Sequence, residues 1–361
     1  MLTVLQVAYP MAPVGEDAVG GAEQVLSMLD EALVEHGHRS IVVACEGSTV
    51  RGTLLATPRV RGSSADVRTW AAAHDGHRAA IAEALRRWPV DVVHLHGADW
   101  YRYLPAADVP VLVTLHLPPS WYPEEALRPT RPRTLLHCVS PSQHRACPPS
   151  GALLPPIRNG VSVRRMHAAV RRRDLCASLG RICPEKGFHM AIDAARRADA
   201  PFLLAGCVFP YDEHRRYWDA EIAPRLDARR RFVGPVTFRG KRRLLSAARC
   251  LLVPSLAPET SSLVAMEAMA CGTPVIAFAA GALRDIVAHE RTGFLVRDTR
   301  EMADAIAAAR SIDGDECRRE AEERFSAERA ARAYLARYEW LAAGGTDALD
   351  RTDGTMADAR A

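Results

Sequence analysis

The stretch CLLVPSLAPETSSLVAMEAMACGTPVIAF, residues 250–278, holds a short apolar run, a loop, a helical pattern and a second apolar run. Cys250–Val253 and Val275–Ala279 read as strands with no polar face, and the segment from near Ser261 reads as a helix between them. Continuous apolar strands joined by a helix make a βαβ unit, in a parallel sheet covered on both faces. The same rhythm runs outward. Upstream, Leu175–Leu179, Phe202–Ala205 and Arg231–Val233 are strands, with helices at Phe188–Arg197 and Asp212–Asp227. Downstream, Phe294–Val296 is a strand and helices continue to about Leu341.

Before residue 159 the alternation appears once more, in Thr3–Ala8, Ile41–Cys45, Val90–Leu95, Val111–Leu115 and Leu135–Val139. Helical patterns lie at Gly21–Glu35, closed by Gly37, and at about Ala65–Arg87. The rhythm stalls over Asn159–Asp174, which is basic and poorly periodic. Two α/β domains of doubly wound, Rossmann-like type are therefore expected, facing across a cleft. The expected division is 1–163, 164–325, a helix over 326–342 that could return to the first domain, and a disordered tail over 343–361.

The 361 residues suffice for two cores. With 48% apolar and 25% charged residues, the composition excludes disorder and coiled coil. The start of the chain has no basic, apolar signal pattern, and the nine cysteines show no C-x-x-C pair, so a cytoplasmic protein with reduced thiols is expected. A net charge of +4 does not call for nucleic acid. Of the 47 basic residues only Lys186 and Lys241 are lysine. A lysine kept in such a chain points to a need for a compact ammonium rather than a guanidinium fork. The arginines of Arg164–Arg173, with Arg128, Arg131 and Arg133, form a solvated surface or a weak peripheral contact with an anionic membrane.

Ligands in such sheets bind beyond the carboxyl ends of the strands. Gly20 and Gly21 open a helix whose N–H groups could face an anion. Neither a phosphate loop of the G-x-x-x-x-G-K-[ST] kind nor a G-x-G-x-x-G fingerprint is present. His94 and His96 share a face of an extended chain, and His116 ends the next strand; no further ligands stand at a metal-binding spacing. Arg181 and Lys186, between a strand and a helix, suit a diphosphate. Glu259 and Glu267 lie eight residues apart, about 12 Å along a helix, too far to act on one bond. That spacing suits one long ligand held at two hydroxyl-bearing ends, with phosphate at the helix N-terminus between them.

At this point the sequence resembles the retaining family 4 glycosyltransferases of GT-B fold. The resemblance rests on LGRICPEKG, the glutamate pair with seven residues between, EAMACGTPVIA, GALRDIV and TGFLV. In the first half it rests on GGAE, DVVHLHG, VTLHLP, CVSPSQ and IRNGV, in that order. It implies that the first domain binds the acceptor, with His94 and His96 as acceptor-side candidates, and that the second binds a nucleoside-diphosphate sugar such as a UDP- or GDP-sugar. It implies that Gly20 and Gly21 approach the diphosphate, that Arg181 and Lys186 bind it, and that His116 sits near the transferred sugar. Glu259 would touch the sugar ring, Glu267 the ribose hydroxyls, and Ser261, Ser262 and Leu263 would offer backbone amides. Ser261 and Ser262 replace the commoner Phe-Gly of the family, which bears on sugar preference. The implied reaction retains anomeric configuration and uses no metal or other cofactor.

Three rival readings share the architecture. A nucleotide-sugar epimerase needs acid–base carboxylates around one carbon, and an inactive scaffold would not need the full set Arg181, Lys186, Glu259 and Glu267. A phosphorylase would need a Schiff-base lysine late in a longer chain.

Overall fold

The computed structural model describes residues 1–60 and 67–345. The first sheet contains β1 (Thr3–Val7), β2 (Arg39–Cys45), β3 (Thr53–Thr57), β4 (Val92–Leu95), β5 (Val111–Leu115), β6 (Thr134–Cys138) and β7 (Leu153–Leu154). The second contains β8 (Cys176–Arg181), β9 (Phe202–Cys207), β10 (Arg230–Phe232), β11 (Cys250–Val253), β12 (Val275–Phe278) and β13 (Gly293–Val296). Their orders are β3-β2-β1-β4-β5-β6-β7 and β10-β9-β8-β11-β12-β13. All the strand pairings within these sheets are parallel. Both are doubly wound, and in each the order reverses next to the first strand, between β1 and β4 and between β8 and β11. Those two switch points open toward ligands in this architecture.

The apolar runs of the sequence form the central strands. The short, partly exposed β3 and the two-residue β7 lie at the edges, where a strand needs no unbroken apolar run. The helix expected over Asp212–Asp227 stops at Tyr217 and continues as a wider turn over Trp218–Ile222 and a tight one over Ala223–Arg225. Pro224 has no N–H to give the turn before it. The helix expected from Ala65 is described from Val67, and the expected tail lies outside the described residues from 346 onward.

The chain crosses between domains ahead of residue 163. Ile157 packs in the first domain's core, whereas Val161 and Val163 already pack in the second's. It crosses back after Phe325, and the helix Ala327–Ala342 lays Tyr334, Tyr338 and Leu341 against Val4, Leu29 and Leu112 of the first domain. The two crossings run side by side. Val161 N donates to Phe325 O at 2.8 Å and Ala327 N to Val161 O at 2.9 Å. Gly160 makes this possible, because a Cβ there would stand 2.4 Å from Ser326 O. Elsewhere the domains touch through Ser142 N, which donates to Asp285 at 2.9 Å, and Phe238 N, which donates to Asp17 at 2.6 Å.

Candidate active site

The loops after β8 and β11 meet at the second domain's switch point. Gly187 ends the turn after β8 with φ 61°, and a Cβ on it would lie 2.3 Å from Pro254 O. Only glycine lets the two loops lie this close in that conformation. The result is an ion pair: Lys186 Nζ donates to Glu259 Oε1 at 2.6 Å, and Ser255 Oγ donates to the same oxygen at 2.5 Å. Glu259 is also fixed by its backbone, since Ala282 N donates to Glu259 O at 2.7 Å.

The helix expected from near Ser261 starts at Leu263, because Ser262 has the non-helical angles φ −109° and ψ 88°. Its first N–H groups have no partner within the helix. The hydroxyls of Ser261 and Ser262 are buried without a hydrogen-bond partner. Leaving such groups unpaired is costly, so orphaned donors at a helix N-terminus suit a polar ligand there. A Cβ on Gly21 would meet Leu263 at 3.5 Å, so the N-terminus of helix Gly21–Glu35 faces the same place. Burial pushes the Glu23 carboxyl on that helix up, and Arg181 works against the shift from the second domain.

Glu267 lies one turn into its helix and is 5% exposed. Burial raises its carboxyl, while the ammonium of Lys241, bonded to it, pulls the other way. Lys241 Nζ also lies 3.5 Å from Gln24 Oε1 of the first domain. Each of the chain's two lysines thus holds one member of the glutamate pair. Sequence reasoning singled out Lys186 and passed over Lys241, although lysine scarcity marks both equally. A cavity of about 700 Å³ opens here, walled by Gln24, Phe238, Lys241, Leu263 and Glu267, and runs along the first helix to Arg165.

His116, at the end of β5, joins the two halves. Thr260, next to Glu259, donates its hydroxyl to His116 O at 2.9 Å. The His116 ring lies 3.1 Å, nitrogen to nitrogen, from His96. His94 and His96 do share a face, with ring centroids 3.9 Å apart, but the face is closed over. His94 is fully buried, with one ring nitrogen 2.7 Å from Tyr338 Oη of the last helix and the other 2.7 Å from Thr114 Oγ1. His96 is 1% exposed. Tyr338 of the last helix closes over His94, and His96 packs against His94 and the His116 ring, so neither is open to an acceptor, which their spacing does not reveal. Burial pushes His116 down to about 3 and His94 and His96 well below their ordinary value, so all three are neutral.

Among the described residues, Cys183, Glu185 and His214 place their ligand atoms within 4.8 Å of one another. Burial pushes the Cys183 thiol up to about 12, so that sulfur is a protonated thiol at neutral pH. Much of the arginine surface is occupied internally. Arg131 donates to Pro105 O at 2.9 Å and Val109 O at 2.8 Å, Arg172 to Gly272 O at 2.6 Å, and Arg165 pairs with Glu16. No described helix is long and apolar enough to cross a membrane.

Two Rossmann-like domains with loops converging on one cleft define the GT-B architecture. Residues 19–146 match the family described as Glycosyltransferase Family 4, and residues 173–311 that described as Glycosyl transferases group 1. Together the two matches span most of the chain, which is a glycosyltransferase built from these two domains. It is similar to glycogen synthase of Mycobacterium tuberculosis, 28% identical over 368 residues covering 87% of this chain and 86% of that protein. Its fold is similar to that of sucrose-phosphate synthase from Thermosynechococcus elongatus, with a TM-score of 0.77, 21% identity and coverage of 95% and 100% of the two chains. It is also similar to the Anabaena protein HepE in complex with UDP-glucose, with a TM-score of 0.72, 17% identity and coverage of 94% and 100%.

Proposed function

We propose that the protein moves a sugar from a nucleoside-diphosphate hexose to a hydroxyl acceptor with retention of configuration and without a metal. The observation that carries this reading is the pairing of Lys186 with Glu259 and of Lys241 with Glu267, on either side of a helix N-terminus with orphaned serine hydroxyls. One extended ligand meets all of them: sugar on Glu259, diphosphate on Arg181, Lys186 and the helix N-terminus, ribose on Glu267, and base in the cavity near Phe238. The Anabaena neighbour's complex with UDP-glucose supports a donor of this kind.

The leaving diphosphate gains negative charge as the glycosidic bond breaks. In this reading Arg181, the Lys186 ammonium and the free N–H groups meet that charge and stabilise it electrostatically. One Glu259 oxygen already accepts from Lys186 and Ser255, which weakens it as a nucleophile. The carboxylate instead orients sugar hydroxyls, and the departing phosphate oxygen takes the acceptor's proton on the same face. A thermal-shift panel of UDP- and GDP-sugars tests donor binding, since a ligand of the folded state raises apparent stability. NMR of the product's anomeric proton tests retention; an inverted product overturns that part.

Two outcomes follow. Glu267→Ala removes the ribose contact and leaves Lys241 without its anion, so calorimetry should give a donor Kd raised at least about tenfold, or about 1.4 kcal/mol. Unchanged affinity removes Glu267 from the ribose. Turnover should also persist in EDTA, because fixed cations already offset the diphosphate, and a thiol–imidazole–carboxylate cluster is a poor site for Mg²⁺. Activity lost in EDTA and restored by Mg²⁺ or Mn²⁺ contradicts this.

A further inference from the structure

We propose that Cys183, Glu185 and His214 form a binding site for a zinc ion, which ties the turn carrying Lys186 to the helix after β9. The site stands beside the transfer chemistry and takes no part in it, so it does not depend on the transferase reading. Cys183 and Glu185 belong to the turn after β8, and His214 to the short helix Asp212–Tyr217 after β9. β8 and β9 are neighbours in the sheet, so the two connections leave it side by side.

The three ligand atoms, a sulfur, an imidazole nitrogen and a carboxylate oxygen, lie within 4.8 Å of one another. Around a tetrahedral zinc such atoms stand about 3.5 Å apart, which small side-chain rotations reach. His214 is 7% exposed, and its Nδ1 is buried without a hydrogen-bond partner, as is Oε2 of Glu185. Two orphaned polar atoms beside one buried thiol are costly unless a ligand joins them. Cys183 Sγ donates to Arg181 O at 3.6 Å, a weak bond that a metal would replace. Both sides of the site are fixed by other contacts. Leu256 N, in the loop after β11, donates to Glu185 O at 2.8 Å. Tyr217, three residues after His214, places its hydroxyl 2.9 Å from His189 Nδ1, on the helix that follows the turn. Ligands already held in place lose little freedom on binding.

The donor set chooses the ion. Mg²⁺ and Ca²⁺ take oxygen ligands, whereas thiolate and imidazole suit zinc. The charges agree: a thiolate and a carboxylate balance the two positive charges of the metal, and burial, helped by Arg181, keeps the His214 ring neutral. The thiol is protonated at neutral pH, so binding exchanges its proton for the metal: the S–H bond breaks, a Zn–S bond forms, and the proton leaves to water. Arg181 and Lys186 act on the same sulfur in the direction that eases this loss. Three protein ligands leave the fourth position to water. Lys186 follows Glu185 in the turn, yet its bond to Glu259 is set by the close packing of Gly187 and by Ser255. The metal therefore steadies the turn, and its removal leaves the cations of the cleft in place.

The full chain, stripped with EDTA and dialysed, is titrated with Co²⁺ and then with Zn²⁺. One Co²⁺ per chain should bind with a thiolate-to-cobalt charge-transfer band. Zn²⁺ should displace it and raise the melting temperature, and Mg²⁺ should do neither. Cys183→Ser should remove the band, and both Cys183→Ser and His214→Gln should weaken Zn²⁺ binding at least about tenfold. Cys207→Ser, on the neighbouring strand, should keep both the band and the affinity. If Cys183→Ser melts lower than wild type without metal, His214→Gln decides. The proposal is overturned if no thiolate band appears, if the band survives Cys183→Ser, or if His214→Gln binds Zn²⁺ like wild type. Sugar transfer that fails in a chain that binds zinc here overturns the transferase reading alone.

Discussion

Lys186→Met should lower kcat by about 10²-fold, the usual cost of removing one fixed donor from a site of developing charge. The loss has two parts. The leaving diphosphate loses a cation placed for it, and Glu259, 10% exposed at its side chain, loses its counter-ion. Lys186→Arg should not restore the rate. A guanidinium is wider than an ammonium, and Gly187 holds the turn against Pro254 with no room to retreat. Misplaced charge acts mainly on the transition state, so kcat should fall at least about tenfold, or about 1.4 kcal/mol of barrier. Donor Kd and melting temperature should change little in the arginine variant. Steady-state kinetics with calorimetry separates the two effects, and a variant with wild-type kcat returns Lys186 to the ordinary surface charges.

Mild acid should unfold the protein. His77, His94, His96 and His137 are at most 1% exposed. Burial pushes His77 down to about 4, His137 to about 3, and His94 and His96 well below their ordinary value. In the unfolded chain each titrates near 6.5. Below that pH the unfolded chain binds protons that the folded one refuses, so stability is complete above about 6.5 and falls as pH drops toward the folded values. Each such histidine costs about 2 kcal/mol by pH 5. Four of them together reach the range of a typical folding free energy, about 5–15 kcal/mol. Glu23 and Glu267, whose carboxyls burial raises, act in the opposite sense: as pH falls to their raised values the folded chain takes up protons before the unfolded one does, which offsets part of the loss. Melting followed by circular dichroism should show a steep fall between pH 7 and 5. Equal melting temperatures at the two values would show that the histidines are reached by water.

Both sheets were readable because their central strands are unbroken apolar runs, and covered strands have no polar face to confuse the pattern. The edge strand Thr53–Thr57 has no such run and disappears into its polar surroundings. At the site, Arg181, Lys186 and Glu259 stood out by their position at or after strand ends, and Glu267 by its spacing from Glu259. Lys241 did not, because it lies inside a helix and faces Glu267 only once the chain is folded. The spacing of His94 and His96 showed that they share a face, but what covers a face is tertiary information. Here the cover is Tyr338, 244 residues away from His94 in sequence.

The returning helix also has a consequence for synthesis. Tyr334, Tyr338 and Leu341 complete a core whose other wall is the helix Gly21–Glu35. Burying side chains of this size is worth about 1.5–3 kcal/mol each. The second domain lies wholly between the two parts of that core, so it leaves the ribosome first with every residue it needs. The first domain, although begun earlier, waits with Leu29 and Leu33 uncovered until the last helix emerges. Domains commonly finish in the order they are translated; here the order is reversed, and a chain halted before Ala327 has a finished second domain and an open first one.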